Sequence, residues 1–265
     1  MATKGPIRVG VFGAGGKMGS TVCAAVAADP ALELVAAVDP FHSGLDLRQV
    51  AKLDSDLNLE KGPDTFVDAG VEVAVDFTQV EAGRENLLWL AEHGIHAVVG
   101  TTGFTDDDIE RFAAAFTTSN CILAPNFAIG AVLMMRFAEM AAPYFESAEI
   151  IELHHDQKVD APSGTAMLTA ERLAKASDDW IDDPTRNEVV KGARGGRTGP
   201  IPVHSIRLAG LVAHQEVLLG TMGQSLSIRH DSYDRSSFMP GVLLAVKRVG
   251  ETPGLTIGLD QVLGL

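Results

Sequence analysis

Residues 152–166 read ELHHDQKVDAPSGTA and gather several groups able to move a proton or hold an anion. His154 and His155 are adjacent, Lys158 follows, and Ser163, Gly164 and Thr165 precede the helical run AMLTAERLAKA. Three chemistries could use such a set. A metal site is the first, but neighbouring residues of a strand point to opposite faces, so the two histidines would not chelate one ion in the simplest geometry. Further ligands at a zinc-like spacing are missing, and His204, His214 and His230 would have to converge in space, so no metal is expected. A hydrolase built on Ser163, His154 and Asp156 lacks a nucleophile-elbow context, and PSGT reads instead as a turn with a helix cap. An anion site with a proton donor explains more of the stretch. Ser163, Gly164 and Thr165 bring hydroxyls and unpaired amides to a helix start. Lys158 adds a full positive charge, and a histidine titrating near neutrality donates a proton.

The elements that must position these groups fall into two patterns. Apolar runs at 7–13, 32–39, 71–78, 95–103 and 121–127 alternate with the helical KMGSTVCAAVAADP, EAGRENLLWLAEHG and TDDDIERFAAAF. Strands that are apolar throughout, separated by helices, imply a parallel sheet covered on both faces. After the helical GAVLMMRFAEMAAPYF, the runs AEIIELHHDQK, VHSIRLAGLVAHQEVLLG and QSLSIRHDSY have mixed polarity and suggest antiparallel or mixed strands. The basic, glycine-rich KGARGGRTGPIP at 191–202 reads as an ordered loop or a lid. A last helix in FMPGVLLAVKRVG returns to the first domain. The expected organisation is α/β, with a parallel-sheet domain over 1–127 completed by 238–265, and an α+β domain with a mixed sheet over 128–237.

Between the first strand and its helix lies GAGGKMG, with glycines at 13, 16 and 19. The strict G-x-G-x-x-G spacing fails, because counting from Gly13 the last position is Met18. The physical requirement survives: small residues let a backbone approach a pyrophosphate, whose charge meets amides at the helix start. Gly13, Ala14, Gly15, Gly16, Lys17 and Met18 are therefore expected to line a dinucleotide. Asp39 closes the second strand, where a carboxylate hydrogen-bonds a ribose. It favours a free 2′-hydroxyl, Pro40 adds no cation beside it, and Lys17 could reach a 2′-phosphate, so use of NADH with NADPH also accepted is expected. Gly100, Thr101 and Thr102, and Ala124, Pro125, Asn126 and Phe127, end the fourth and fifth strands. Small and hydroxyl-bearing residues beyond strand ends suit a nicotinamide ribose and carboxamide.

The bulk numbers exclude some classes. At 46% hydrophobic and 21% charged residues, 265 residues support a substantial core in one large or two ordinary domains. The net charge of −14 argues against nucleic acid as a general partner, and any small anionic ligand needs a local basic pocket. The longest apolar stretches are too short to span a bilayer. MATKGPIRVGVFG is expected not to be a secretory signal, since its apolar run is strand-length and broken by glycine. Cys23 and Cys121 are the two cysteines and sit in separate elements, as suits a reducing compartment, so a cytoplasmic location is expected.

VGVFGAGGKMG, GTTG, APNF and above all the His-His-x-x-Lys-x-Asp-x-Pro-Ser-Gly-Thr pattern resemble the 4-hydroxy-tetrahydrodipicolinate reductase (dihydrodipicolinate reductase) family of the bacterial diaminopimelate–lysine pathway. The resemblance runs in order along essentially the whole chain. It implies a Rossmann-type nucleotide-binding domain, a second domain that binds a small cyclic dicarboxylate and builds a homotetramer, and nicotinamide-dependent reduction. By motif, His154 would be the acid/base, Lys158 the second catalytic residue, and His155, Ser163, Gly164 and Thr165 the substrate-binding set. Many members carry an arginine just after the ribose-binding acid, where this chain has Pro40, so a strong NADPH preference is not expected. Competing readings are another Rossmann reductase of a small imine or semialdehyde acid, and a non-catalytic NAD(H)-sensing module. A semialdehyde dehydrogenase would need an activated cysteine, and neither cysteine has basic neighbours in sequence.

Overall fold

The computed structural model describes residues 5–265. They form two compact units, one made of the stretch up to Phe127 together with Phe238–Leu265, the other of Ala128–Ser237.

The first unit alternates strand and helix: β1 (Ile7–Phe12), α1 (Lys17–Ala28), β2 (Leu32–Val38), α2 (Leu47–Ala51), β3 (Leu59–Glu60), α3 (Asp64–Asp68), β4 (Val73–Asp76), α4 (Val80–Glu92), β5 (His96–Val99), α5 (Asp106–Ala115) and β6 (Cys121–Leu123). The second unit carries α6 (Ile129–Ala141), β7 (Ser147–His154), α7 (Gly164–Ala176), β8 (Gly196–Thr198), β9 (Ile201–Arg207), β10 (Ala213–Thr221) and β11 (Gln224–Ser232). The chain then re-enters the first unit as α8 (Met239–Arg248), β12 (Leu255–Ile257) and α9 (Asp260–Leu263).

The seven strands of the first unit pair only in parallel, in the order β12-β6-β5-β4-β1-β2-β3. The strand order runs outward both ways from the β1–β4 pair, so the loops after these two strands diverge at a crevice of the kind that binds ligands in open α/β sheets. Val73–Asp76 is buried at every position, as a central parallel strand requires. Phe12 and Phe66 pack with ring centroids 4.7 Å apart. Gly10 makes room for that pair, since a Cβ there would lie 2.8 Å from the Phe66 ring. Helix α5 starts with a capping box, Thr105 and Asp108 each accepting from the other's backbone amide, and Arg84 donates to Asp108 at 2.9 Å. The strands are shorter than the apolar runs, because 100–103 and 124–127 leave the sheet as loops. The short α2, β3, α3 and β12 were not expected from periodicity.

In the second unit the five strands run β11-β10-β7-β9-β8. Strand β7 is antiparallel to β10 and parallel to β9, so the sheet is mixed. Ala148, Ile150 and Glu152 alternate as the buried face of β7. Helix α6 packs on β11 and α7, while α7 packs on β7 and β9. The run 203–220 is two strands, divided by the turn at 208–212. The glycine-rich 191–202 segment is ordered as a turn leading into the β8–β9 hairpin, with Gly195 at φ +70° and Gly199 at φ +57°. Among the described residues no helix is long and apolar enough to cross a membrane.

Candidate active site

The candidate proton donor and the candidate anion turn are brought together in the second unit. His154 ends β7, and Glu152, two residues earlier, lies on the same face of the strand. The His154 Nδ1 is 2.5 Å from Glu152 Oε2. Glu152 is fully buried, yet it remains an anion because donors surround it. Arg207, directly opposite His154 in the parallel register of β9, donates Nη1 to Oε2 at 2.9 Å and Nη2 to Oε1 at 2.8 Å. The Ser163 backbone N–H donates to Oε1 at 3.2 Å. Burial alone would raise the Glu152 carboxyl, but hydrogen bonds from His154, Arg207 and Ser205 outweigh it and hold it down at about 2. Arg207 also donates to the Asp160 carbonyl at 2.7 Å, tying the turn between β7 and α7 to the sheet.

That turn delivers the helix start. Ser163 is buried and caps α7, its hydroxyl accepting from the Ala166 amide at 3.2 Å. Gly164 is exposed, with open space where a Cβ would stand, so a ligand can approach the first turn of α7. Behind it, the buried Gln215 donates to Thr169 Oγ1, which donates to the Thr165 carbonyl, each at 2.7 Å. Lys158 sits on the same turn, its Nζ 2.7 and 2.8 Å from the two Asp160 oxygens. His155 is exposed, its amide bonded to Val212.

Two details of this cradle differ from expectation. The Ser163 amide is committed to Glu152 and is not available to an anion. Lys158 is an ion-paired cation, because Asp160 is only two residues away and shares its turn. Arg194 pairs with Glu149 and, at 3.0 Å, with Asp183, so this basic residue of the glycine-rich segment is engaged within its own unit. His204 pairs with Glu149, His214 with Asp231 at 2.7 Å, and His230 packs over Gly130. Among the described residues no cluster of three or more His, Cys, Asp or Glu is arranged to hold a metal ion. Burial pushes the Cys23 thiol up to about 12 and raises Cys121 likewise, the opposite of an activated nucleophile.

The nucleotide candidates lie at strand ends of the first unit. Gly13 takes φ +65°, and Gly19 packs so tightly that a Cβ would lie 2.0 Å from the Gly13 oxygen. Ala14 is buried, its amide bonded to the Val38 carbonyl, which joins the turn to β2. Gly16 precedes α1 without a side-chain cap, so the first-turn amides at Lys17, Met18 and Gly19 have no side-chain acceptor there. A bare, closely packed helix start fits a pyrophosphate. Asp39 Oδ2 accepts from the Gly15 amide at 3.0 Å, and Oδ1 accepts from the amides of Phe41 and His42. The His42 Nδ1 lies 3.0 Å from the same Oδ1, so a histidine that sequence reading passed over stands beside the ribose candidate.

The later strand ends are more structural than expected. Thr101 is buried and its hydroxyl donates to Asp76 Oδ1 at 2.8 Å, not outward. Asp76, also buried, accepts in addition from the Thr78 amide at 2.9 Å, the Thr78 hydroxyl at 2.8 Å and Asn86 at 2.7 Å. Gly100 is small because the Phe77 ring covers it, a Cβ lying 2.0 Å from that ring. Phe127 is a core residue, 5.7 Å from Phe77 between centroids, and Ala124 is fully buried. Thr102 and Pro125 are exposed and Asn126 is half-buried. Glu152, Arg207 and Asp76 were missed by sequence reading. The E-x-H spacing carried a signal for the first, since period two puts both side chains on one face.

The chain matches the family model for the dihydrodipicolinate reductase N-terminus over residues 7–127 and that for its C-terminus over 130–263. The 4-hydroxy-tetrahydrodipicolinate reductase of Nocardia farcinica is 53% identical, the match covering 98% of this chain and 99% of that one. The corresponding protein of Mycolicibacterium vanbaalenii is 51% identical over 98% and 100%. A dipicolinate-bound dihydrodipicolinate reductase structure from Paenisporosarcina sp. TG-14 superposes with a TM-score of 0.86 at 40% identity, covering 97% of this chain and 99% of that one. An amine dehydrogenase of Mycobacterium smegmatis, at 12% identity and a TM-score of 0.67, shares the fold alone. With both family models matched and half of its residues shared with full-length relatives, this chain belongs to the dihydrodipicolinate reductase family.

Proposed function

We propose that this chain reduces 4-hydroxy-tetrahydrodipicolinate to tetrahydrodipicolinate, the 4-hydroxyl leaving as water, in the diaminopimelate route to lysine, accepting both NADH and NADPH. The observation that carries the reading is the stretch from His154 to Thr165, where an imidazole, an ammonium and an open helix start share one turn of chain. The Paenisporosarcina relative was solved with dipicolinate, and a cyclic dicarboxylate of that kind suits this cradle.

Each residue has a job in that reading. The helix-start amides at Gly164 and Thr165 hold a substrate carboxylate, with His155 and the Ser163 hydroxyl beside them. Lys158 exchanges its bond to Asp160 for the anionic substrate and stabilises negative charge as it develops. His154 delivers the proton that completes the two-electron reduction. In the first unit, Gly13 to Met18 hold the pyrophosphate and Asp39 the adenosine ribose. Backbone groups at Gly100 to Thr102 and Ala124 to Phe127 border the nicotinamide end. The bound reduced nicotinamide supplies the hydride. Lys17, with the His42 imidazole beside Asp39, would accommodate a 2′-phosphate, while Asp39 favours the free hydroxyl. A homotetramer in the cytoplasm completes the proposal. Exposed apolar side chains on the second unit, among them Ile206, Met222 and Leu226, support self-association.

The test is loss of reduced-cofactor absorbance with substrate made in place by the upstream synthase from pyruvate and aspartate semialdehyde. Oxidation of both cofactors at comparable efficiency is expected. Oxidation of NADPH alone would remove the dual use, and no oxidation of either, despite cofactor binding, would sink the function.

A further inference from the structure

We infer that Glu152, clamped by Arg207, is a positioning residue that fixes which ring nitrogen of His154 faces the substrate. This rests on the proposed role of His154. A carboxylate accepts hydrogen bonds and cannot donate them, so the 2.5 Å contact of Glu152 Oε2 requires a proton on Nδ1. The exchangeable proton is therefore the one on Nε2. The same Oε2 also accepts from Arg207 at 2.9 Å, so the guanidinium balances the charge of the carboxylate that orients the ring. Oε1 meanwhile receives the second arm of Arg207 and the Ser163 amide, 2.8 and 3.2 Å away. One buried carboxylate thus holds both the proton donor and the residue that caps the anion-binding helix. The charged groups bonded into this cluster are Glu152 on β7, Arg207 on β9, and Asp160 with its partner Lys158 on the turn. Strand β10 contributes Ala213 opposite His154.

Glutamine has nearly the shape of glutamate but carries one donor group, and every position around Glu152 is already filled by a donor. In Glu152→Gln the amide NH2 must face either His154, forcing the proton to Nε2, or the Arg207 and Ser163 donors, loosening the turn. The expected result is a kcat lowered roughly 10- to 100-fold, taken from the loss seen when a metal-bound histidine loses the partner that orients it. NADH affinity should stay within about twofold, because the nucleotide candidates lie in the other unit. In His154→Ala, adding Glu152→Gln should cost far less than it does in the wild type. Losses that multiply in the double variant would show that Glu152 does not act through the ring.

Nitrogen NMR of the imidazoles reads the tautomer directly in the wild-type protein, so the inference is decidable even if Glu152→Gln fails to fold. Protonated Nδ1 for neutral His154, turning to a mixture in Glu152→Gln or in Arg207→Lys, which keeps the charge but loses the fork, supports it. A neutral His154 in the wild type that carries its proton on Nε2 and leaves Nδ1 bare overturns it. If His154→Ala keeps full turnover, the proposed function loses its proton donor, while the tautomer still decides the role of Glu152.

Discussion

Thr101 offers a clean separation between a cofactor-binding hydroxyl and a structural one. Its Oγ1 donates to Asp76 Oδ1 at 2.8 Å with both residues buried, which makes the replacement Thr101→Val nearly isosteric and purely a loss of one donor. A hydrogen bond to a charged group contributes about 1.5–3 kcal/mol. Asp76 Oδ1 keeps two donors from Thr78, at 2.9 and 2.8 Å, so the anion is not abandoned. The lower end, about 1.5 kcal/mol, is therefore expected. For units of this size that corresponds to roughly 3–6 °C in Tm. Thr101→Ser keeps the hydroxyl and should stay within about 0.5 kcal/mol of the wild type. Urea unfolding followed by circular dichroism gives the stability, and fluorescence titration gives the NADH Kd. Unchanged stability in Thr101→Val together with about a tenfold weaker NADH complex would refute the structural role and restore the hydroxyl to the cofactor.

Other predictions follow from the same distances. The Glu152 carboxyl, held at about 2 against an ordinary 4.5, contributes about 3 kcal/mol that is fully present above pH 4.5 and lost as pH falls through 2. Urea midpoints across that window should fall in the wild type and fall less steeply in Glu152→Gln, the remainder belonging to other depressed carboxyls such as Asp108 and Asp231. Gly19→Ala places a Cβ 2.0 Å from the Gly13 oxygen, a backbone collision that should cost at least about 1–3 kcal/mol and abolish NADH binding by calorimetry. Wild-type affinity in that variant would remove the turn as the pyrophosphate site. Lys17→Ala should lower kcat/KM for NADPH about tenfold, or about 1.4 kcal/mol, and leave NADH unchanged in parallel steady-state assays.

What the sequence made legible was local. The buried runs and the bare glycine turn announced a parallel sheet with a helix start facing its strand ends, because strand burial and tight turns restrict residue choice position by position. The HHDQKVDAPSGTA stretch disclosed the cradle for the same reason: His154, Lys158 and the Ser163 cap are neighbours in sequence. Arg207 was hidden because it reaches Glu152 through the parallel pairing of β7 with β9, a contact 55 residues away that no local pattern encodes. The bond from Thr101 to Asp76 was hidden because a hydroxyl at a strand end serves a ligand or a buried carboxylate equally well, and Asp76 comes from another strand. Strand β12 is three residues long, too short for alternation to register.

The most direct test of the account is turnover of His154→Ala with reduced cofactor already bound. Proton delivery by a positioned side chain is typically worth 10²–10⁴-fold, so single turnover should slow by roughly that factor while the NADH Kd stays at the wild-type value. Turnover unchanged once the complex forms, with cofactor binding impaired instead, would contradict the assignment of the His154 cradle as the reacting site.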